Sequence, residues 1–472
     1  MIQSSLRSCI TGSKRSIGGK SLLFILWVLL VAYVPQSAAQ QAPPLLAMAQ
    51  IDTIIIEGNR VTKPFVILAE IELQVGSLAD SAALERDRKR LESLGLFSRA
   101  QLSLDTLPTQ QTALRIQVTE LWYIWPSLFL ALDEQNPSRF GAGALISHDN
   151  FRGRRETLAL SARFGYIEAQ QFAWNIPYLR SDLRDYSMFL RLKSSREHEP
   201  RTLRERDDID AIERSFDMGI GHRTSLENRY WAETSFAQAR FESHDDRELN
   251  LTASGESYGD LNGSVGIGFT RDTRYYKPWA TQGYLFSVHL GATLGLNNDK
   301  VRYLQPGLTL ARYFSFAPRL HLAGRSTSDW IIGHSLRYRR LLLDSDNVIR
   351  TAMDRSYEGT WRSMATLELR GDLLPIRYVT LRSVINALRP YSKDLRFGLS
   401  GTLFVDGGVV GGIPYGESSS FVTEQTDGWD VSYGAGLVVH VPYRDIIRLE
   451  YARSARFPED GYQLRIRIGP SF

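Results

Sequence analysis

Apolar and polar residues alternate with period two over most of this chain. At the C-terminus Tyr462, Leu464, Ile466, Ile468 and Phe472 share one face of an extended segment, and Gln463, Arg465, Arg467, Gly469 and Ser471 share the other. Ile447, Leu449 and Tyr451 alternate in the same way with Arg448 and Glu450, Leu367 and Leu369 with Thr366, Glu368 and Arg370, and Leu403 and Val405 with Thr402 and Asp406. From about residue 121 onward helical periodicity is nearly absent. The pattern predicts sixteen strands. Four lie at 123–132, 140–149, 154–165 and 166–177, seven near 186, 216, 235, 266, 288, 308 and 325, and five at 363–370, 400–408, 432–441, 445–453 and 462–472.

A soluble sandwich also alternates, so the placement of charge has to decide. The polar faces carry guanidinium and carboxylate groups that a dry core could not hold, while Tyr, Trp and Phe sit near strand ends on the apolar faces. Residues 121–472 leave about 22 positions for each of sixteen strands and its connection, which suits a tilted membrane-spanning strand with short turns on one side and longer loops on the other. Closure would satisfy every backbone group in lipid, with the charged face lining a wet lumen. The expected architecture for 121–472 is therefore an all-β, 16-stranded antiparallel transmembrane barrel. Glu368 and Asp406 have the parity of lumenal residues.

The first 120 residues follow other periods. Residues 1–39 read as a secretion signal: a basic stretch ends at Lys20, thirteen apolar residues run from Leu22 to Val34, and Ser37-Ala38-Ala39 offers a cleavage site. Residues 40–49 read as a linker. Within 50–120, Ile51 to Ile56 predicts a strand ended by Gly58-Asn59. Thr62 is placed to cap a first helix, and a second runs from Ala82 to Leu94, stopped by Gly95. Strands near 100–104 and 113–120 complete an order of strand, helix, helix, strand, strand.

Charge adds little once it is located. The net charge is +4, but residues 1–39 hold Arg7, Lys14, Arg15 and Lys20 and no acid, so the remainder is formally neutral and nothing motivates a nucleic-acid partner. The sole cysteine, Cys9, precedes the apolar run, which leaves the exported part without a thiol. Gly255-Glu256-Ser257-Tyr258-Gly259 matches a nucleophile-elbow spacing, but the following Asp260-Leu261-Asn262-Gly263 starts no helix, so a hairpin loop is the better reading. The eight histidines show no paired spacing for a metal, and no phosphate-binding loop is present. No catalytic residue, metal or cofactor is expected, and the chain reads as no enzyme.

The residues of the small domain carry a resemblance. Ile56-Glu57-Gly58-Asn59 and Leu91-Glu92-Ser93-Leu94-Gly95-Leu96-Phe97, at their separation within one α+β module, resemble a POTRA domain, a periplasmic module of outer-membrane assembly proteins. Gly95 would supply the left-handed turn out of the helix and Phe97 would bury its ring beneath it. Further on, a connection of about thirty residues from His334 to Arg362 is long enough to need a purpose. It holds Asn347-Val348-Ile349-Arg350 and is followed by Leu367-Glu368-Leu369-Arg370 and Phe404-Val405-Asp406-Gly407-Gly408. This combination resembles the BamA/TamA family. The resemblance implies that an extracellular loop folds into the barrel and that Arg350 meets Asp406 and Glu368 on the inner wall. Thr351 and Ala352 stand where that family has glycine and an aromatic, so Arg355 is the alternative tip.

Pro126 in the first barrel strand and Gly469-Pro470 in the last weaken the seam where the barrel closes, because proline lacks an N–H and glycine loosens a strand. The functional expectation is an outer-membrane protein insertase or translocation factor whose domain and seam accept unfolded β-barrel clients by strand addition. A transporter of one dedicated secreted client and a passive channel are the alternatives. The expected partners are the outer-membrane bilayer, client proteins, periplasmic chaperones and accessory lipoproteins.

Overall fold

The computed structural model describes residues 49–132, 140–198, 209–243, 259–335, 339–343, 349–351, 357–381, 391–412, 428–442 and 445–468. The sequence expectations for residues 1–39, Ser257, Arg355, Gly469, Pro470 and Phe472 lie outside them.

The N-terminal domain begins with β1 (Ala49–Gln50), β2 (Thr53–Glu57), α1 (Pro64–Leu68) and β3 (Leu78–Ala79). It continues with α2 (Ser81–Glu92), β4 (Phe97–Thr106) and β5 (Thr112–Glu120). Its main sheet has the order β2-β5-β4, with β2 parallel and β4 antiparallel to β5, while β1 pairs only with β3. Ile51, Val66, Ile67, Leu91, Leu96, Phe97, Leu114 and Ile116 form the core between sheet and helices. Asp80 caps α2 by accepting from the Ala83 N–H at 2.6 Å. Gly95 leaves the helix at φ +71, a left-handed conformation that costs glycine little. Gly58 is constrained by space as well, since a Cβ there would lie 2.0 Å from the Val118 carbonyl oxygen. Asn59 Nδ2 donates to the Thr62 carbonyl at 3.1 Å and closes the turn that follows β2.

Thr62 does not cap a helix. The N-cap of α1 is Lys63, which makes no side-chain cap bond, and Pro64 occupies the first turn, where its missing N–H is no loss. The Thr62 hydroxyl instead accepts from Asn150 Nδ2 at 2.9 Å and lies 3.1 Å from the Tyr123 hydroxyl, both across the boundary with the barrel.

The barrel strands are β6 (Ile124–Leu132), β7 (Phe140–Phe151), β8 (Glu156–Gly165), β9 (Ile167–Ile176), β10 (Tyr186–His198), β11 (Ile209–Arg223), β12 (Asn228–Ser243), β13 (Asp260–Asp272) and β14 (Gly283–Gly295). They continue with β15 (Arg302–Ala317), β16 (Leu320–Trp330) and β17 (Ile332–His334). After the short β18 (Leu341–Leu343) and β19 (Tyr357–Gly359) come β20 (Trp361–Val379), β21 (Leu395–Gly411), β22 (Gly428–Val441), β23 (Asp445–Ser454) and β24 (Tyr462–Ile468). Apart from β18 and β19, which pair with each other, these strands form a closed barrel in which β24 neighbours β6. β16 and β17 both lie beside β15 and are one strand broken at Ile331, so the described residues make sixteen strand positions. Each expected segment overlaps one of them. Leu128, Leu160, Val265, Ile267, Leu403, Leu464 and Ile466 point outward and are exposed, while their neighbours in sequence face the lumen. Among the described residues no helix is long and apolar enough to cross a membrane.

Pro126 lies inside β6, opposite Ile146 of β7. The longest strand, β20, exceeds its expected extent at the periplasmic end, where its register with β21 shifts twice, between Asp372 and Leu374 and between Leu374 and Arg377. Pro375 sits in the second irregularity, where a residue without an N–H is tolerated.

The N-terminal domain and the barrel belong to one compact unit, residues 42–472. Tyr178, from the β9–β10 turn, is buried in the domain's core and meets the Phe65 ring edge-on at 6.0 Å. Its hydroxyl donates to Glu70 at 2.5 Å, and Arg223 at the end of β11 pairs with the same carboxylate at 2.6 Å. Across the mouth, Arg99 pairs with Asp394 at 3.3 Å and the Tyr378 hydroxyl donates to Glu92 at 2.9 Å. The domain thus touches turns on opposite sides of the barrel rim.

Candidate functional site

The described parts of the connection between β17 and β20 pack inside the barrel. Its β18–β19 ribbon and Ile349 pack Leu343, Ile349 and Tyr357 against Met364 of β20 and Val410 of β21. Next to Ile349, Arg350 is almost wholly buried and faces three carboxylates at once. Nη1 donates to Asp406 at 2.7 Å, Nε donates to Glu450 at 2.9 Å, and Nη2 donates to Glu368. The guanidinium also lies over the Phe404 ring, 3.8 Å from its centre.

The local sequence explains why the wall receives the loop here. Residues 404, 406 and 408 of β21 share the lumenal parity, and each contributes a different thing: Phe404 a face for the guanidinium, Asp406 a carboxylate, and Gly408 room. A Cβ at Gly408 would come within 2.5 Å of Leu343 and 2.6 Å of Ile349. Asp406 is oriented by Ser432 of β22, whose hydroxyl donates to its other oxygen at 3.0 Å.

The structure therefore brings Arg350, Glu368 and Asp406 together, and it adds residues that the sequence reading did not name as partners. Glu450 is the third carboxylate. Arg448 Nη2 donates to Glu368 at 2.9 Å and to Glu450 at 2.5 Å, and Arg370 donates twice to Glu368, at 2.9 and 2.8 Å. Three carboxylates and three guanidiniums thus form a buried ionic network, and Glu368 lies at its centre with all three arginines on it. Arg465 of β24 extends it to the last strand by donating to the Arg350 carbonyl at 3.4 Å. Arg448, Glu450 and Arg465 already stood on the polar face of their strands. Lacking was any sign that β20, β21, β23 and β24 aim those faces at one point.

Tyr462, Leu464 and Ile466 of β24 face outward, and Tyr462 stacks on Tyr451 at 4.7 Å. Ile468 ends the strand. Among the described residues no group of three or more His, Cys, Asp or Glu is arranged to hold a metal.

A closed barrel with an apolar outer face, a charged lumen and a small α+β domain at its mouth defines an outer-membrane protein whose N-terminal domain lies in the periplasm. Comparison with known proteins agrees. The POTRA family, described as surface antigen variable number repeat, matches residues 49–121, and the Omp85 superfamily domain matches residues 150–339. The outer membrane protein assembly factor BamA of Nitratidesulfovibrio vulgaris is 25% identical over 289 residues, 58% of this chain and 34% of that protein. The match thus spans about a third of that relative's length. Among solved structures, BamA from Haemophilus ducreyi lacking POTRA domains 1–3 aligns with a TM-score of 0.50 at 15% identity, covering 89% of this chain and 83% of that one. CdiB from Acinetobacter baumannii aligns with a TM-score of 0.52 at 10% identity, covering 90% and 71%. At these identities the structural likeness is one of fold. The chain thus carries a POTRA domain and an Omp85 superfamily domain, and its similarity is to proteins of the BamA type.

Proposed function

We propose that this chain inserts or translocates other polypeptides at the outer membrane without covalent chemistry, with the loop carrying Arg350 acting as a releasable latch in the lumen. The observation that carries this reading is the ionic character of the contact. A permanent plug is served as well or better by apolar packing, because burying charges costs several kcal/mol per ion before pairing returns it. Paired charges can instead exchange partners when the loop leaves. In a lumen shielded from salt the pairs hold until displaced.

The client would be received in two places. The edge strands of the domain's sheet, β2 and β4, support strand addition in the periplasm. The seam between β24 and β6, with Pro126 in one strand and Gly469 and Pro470 beyond the other, supports it in the membrane, where unmet backbone groups are costly. Client folding would supply the driving force. Chaperones and accessory lipoproteins would deliver clients to the domain.

A transporter that passes one dedicated client through the lumen is the second reading, favoured by the same latch, since its release empties the barrel. A passive channel fits less well with a lumen occupied by its own loop. Liposomes containing the full chain test the first reading with an unfolded small barrel protein as client, scored by the heat-sensitive gel migration of its folded form. Faster client folding than in empty liposomes is expected, and an equal rate would overturn insertion. Depletion in cells separates the readings: loss of many barrel proteins marks an insertase, and loss of one exported protein marks a dedicated transporter.

A further inference from the structure

A second segment enters the lumen, from the periplasmic side. Residues 273–282 between β13 and β14 turn inward, leaving Trp279 and Ala280 only 5% and 3% exposed. Trp279 packs against Val438 of β22 and Ile446 of β23, meets the His440 ring edge-on at 5.3 Å and donates Nε1 to Asp372 at 3.3 Å. β22 and β23 stand far round the barrel from β13 and β14, so the turn reaches across the lumen.

Each end of this turn has a distinct hold. At the rim, Ser93 just after α2 accepts from the Lys277 N–H at 3.1 Å, and the Arg90 guanidinium lies 5.1 Å from the centre of the Tyr275 ring. In the lumen, Arg370 Nη1 donates to the Ala280 carbonyl at 2.9 Å, and its guanidinium lies 4.7 Å from the centre of the Trp279 ring. The remaining donors of that guanidinium, Nε and Nη2, are the two that hold Glu368, the acceptor of Arg350. One rigid fork therefore bridges the inner turn and the outer latch.

We propose that residues 273–282 form an inner plug that transmits movement of the POTRA domain to the outer loop, with Arg370 as the positioning residue that joins them. This inference rests on the reading of the loop as a latch. If the domain swings away and draws the turn with it, Arg370 loses its carbonyl and its aromatic face and must reorient. Glu368 then loses two of its charge-assisted donors, and its hold on Arg350 changes.

The test uses the full chain in liposomes with Cys9→Ser and a reporter, Thr351→Cys, next to Arg350 and 5% exposed in the native residue. The labelling rate by a membrane-impermeant maleimide reads release of the loop, and heat-sensitive gel migration establishes that each variant is folded. Trp279→Ala is expected to raise the rate about tenfold, the scale of one lost hydrogen bond to a charged group. In an Arg370→Lys background, where the cation near Glu368 remains but the fork is gone, Trp279→Ala should add nothing. A folded Trp279→Ala variant that labels at the parent rate, or an equal gain in both backgrounds, would overturn the proposal. Should Trp279→Ala fail to fold, Tyr275→Ala at the rim replaces it with a smaller expected gain, and an unchanged rate counts against the relay in the same way. Arg350→Ala separates the two ideas, because an unchanged rate there removes the latch itself, whereas a fast Arg350→Ala beside a slow Trp279→Ala removes only the relay.

Discussion

At the scale of single residues, Arg350 spends its planar fork on three acceptors while an aromatic ring covers one face. Stranding buried carboxylates by removing such a cation costs about 3–5 kcal/mol. Arg350→Ala should therefore release the loop in an intact barrel, read as protease cleavage within residues 335–360. The carboxylates are unequal. Glu368 serves Arg350, Arg370 and Arg448, whereas Asp406 serves Arg350 and a serine, so Glu368→Gln should free the loop more than Asp406→Asn when their cleavage rates are compared. Reversing charge with Arg350→Glu and Asp406→Arg should restore protection only in part, because a glutamate at 350 still faces Glu368 and Glu450. A double variant as resistant as the parent would mean that Asp406 alone matters. Arg350, Glu368 and Asp406 were nameable from parity and from the resemblance of their surroundings to a known family. Glu450, Arg370 and Arg448 were legible only as lumenal, because alternation fixes a side chain's face and not its height against strands two or three places away.

Among the elements, the joint between the small domain and the barrel rim has the clearest dependence on conditions. Burial alone would raise the Glu70 carboxyl, but Arg155 and Arg223 beside it and the Tyr178 hydroxyl hold it below the ordinary glutamate value. A carboxyl with a depressed folded-state value contributes stability that is complete above its unfolded value and is lost as pH falls through the folded one. Docking at this corner should thus be constant at neutral pH and weaken in acid below about 4.5. Cross-linking yield between α1 and the β11–β12 turn, followed against pH, measures this, and Glu70→Gln should flatten the curve. The order of elements in the domain was legible because its two helices and three longer strands each keep their own period. The role of Thr62 was not. A threonine before a helix is a sound capping signal, and only the fold brings Asn150 and Tyr123 to its hydroxyl.

For the molecule as a whole, sixteen strands follow from alternation because lipid and lumen impose opposite demands on successive side chains along the entire wall. Spin labels at Leu464 and Ile466, 66% and 68% exposed, should report hydrocarbon in bilayers, and bulk solvent at both would remove the barrel's orientation in lipid. The periplasmic half of β20 escaped the sequence reading because its two bulges interrupt the period, so Leu373 and Leu374 both point outward. Those bulges also divide the strand into two independent phases. Excising one residue from 373–375 should be absorbed by the irregularity already there, leaving the upper half in step. Excising one from 365–367 would instead rotate part of the strand by half a turn and offer the Glu368 carboxylate to hydrocarbon or lift it out of line with β21. Gel migration with and without heating distinguishes the two deletions, and tolerance of both would mean that β20 is held by its neighbours' backbones alone. A barrel wall so built has a slipping clutch beneath its ionic bolt, letting the mouth flex while the bolt keeps its aim.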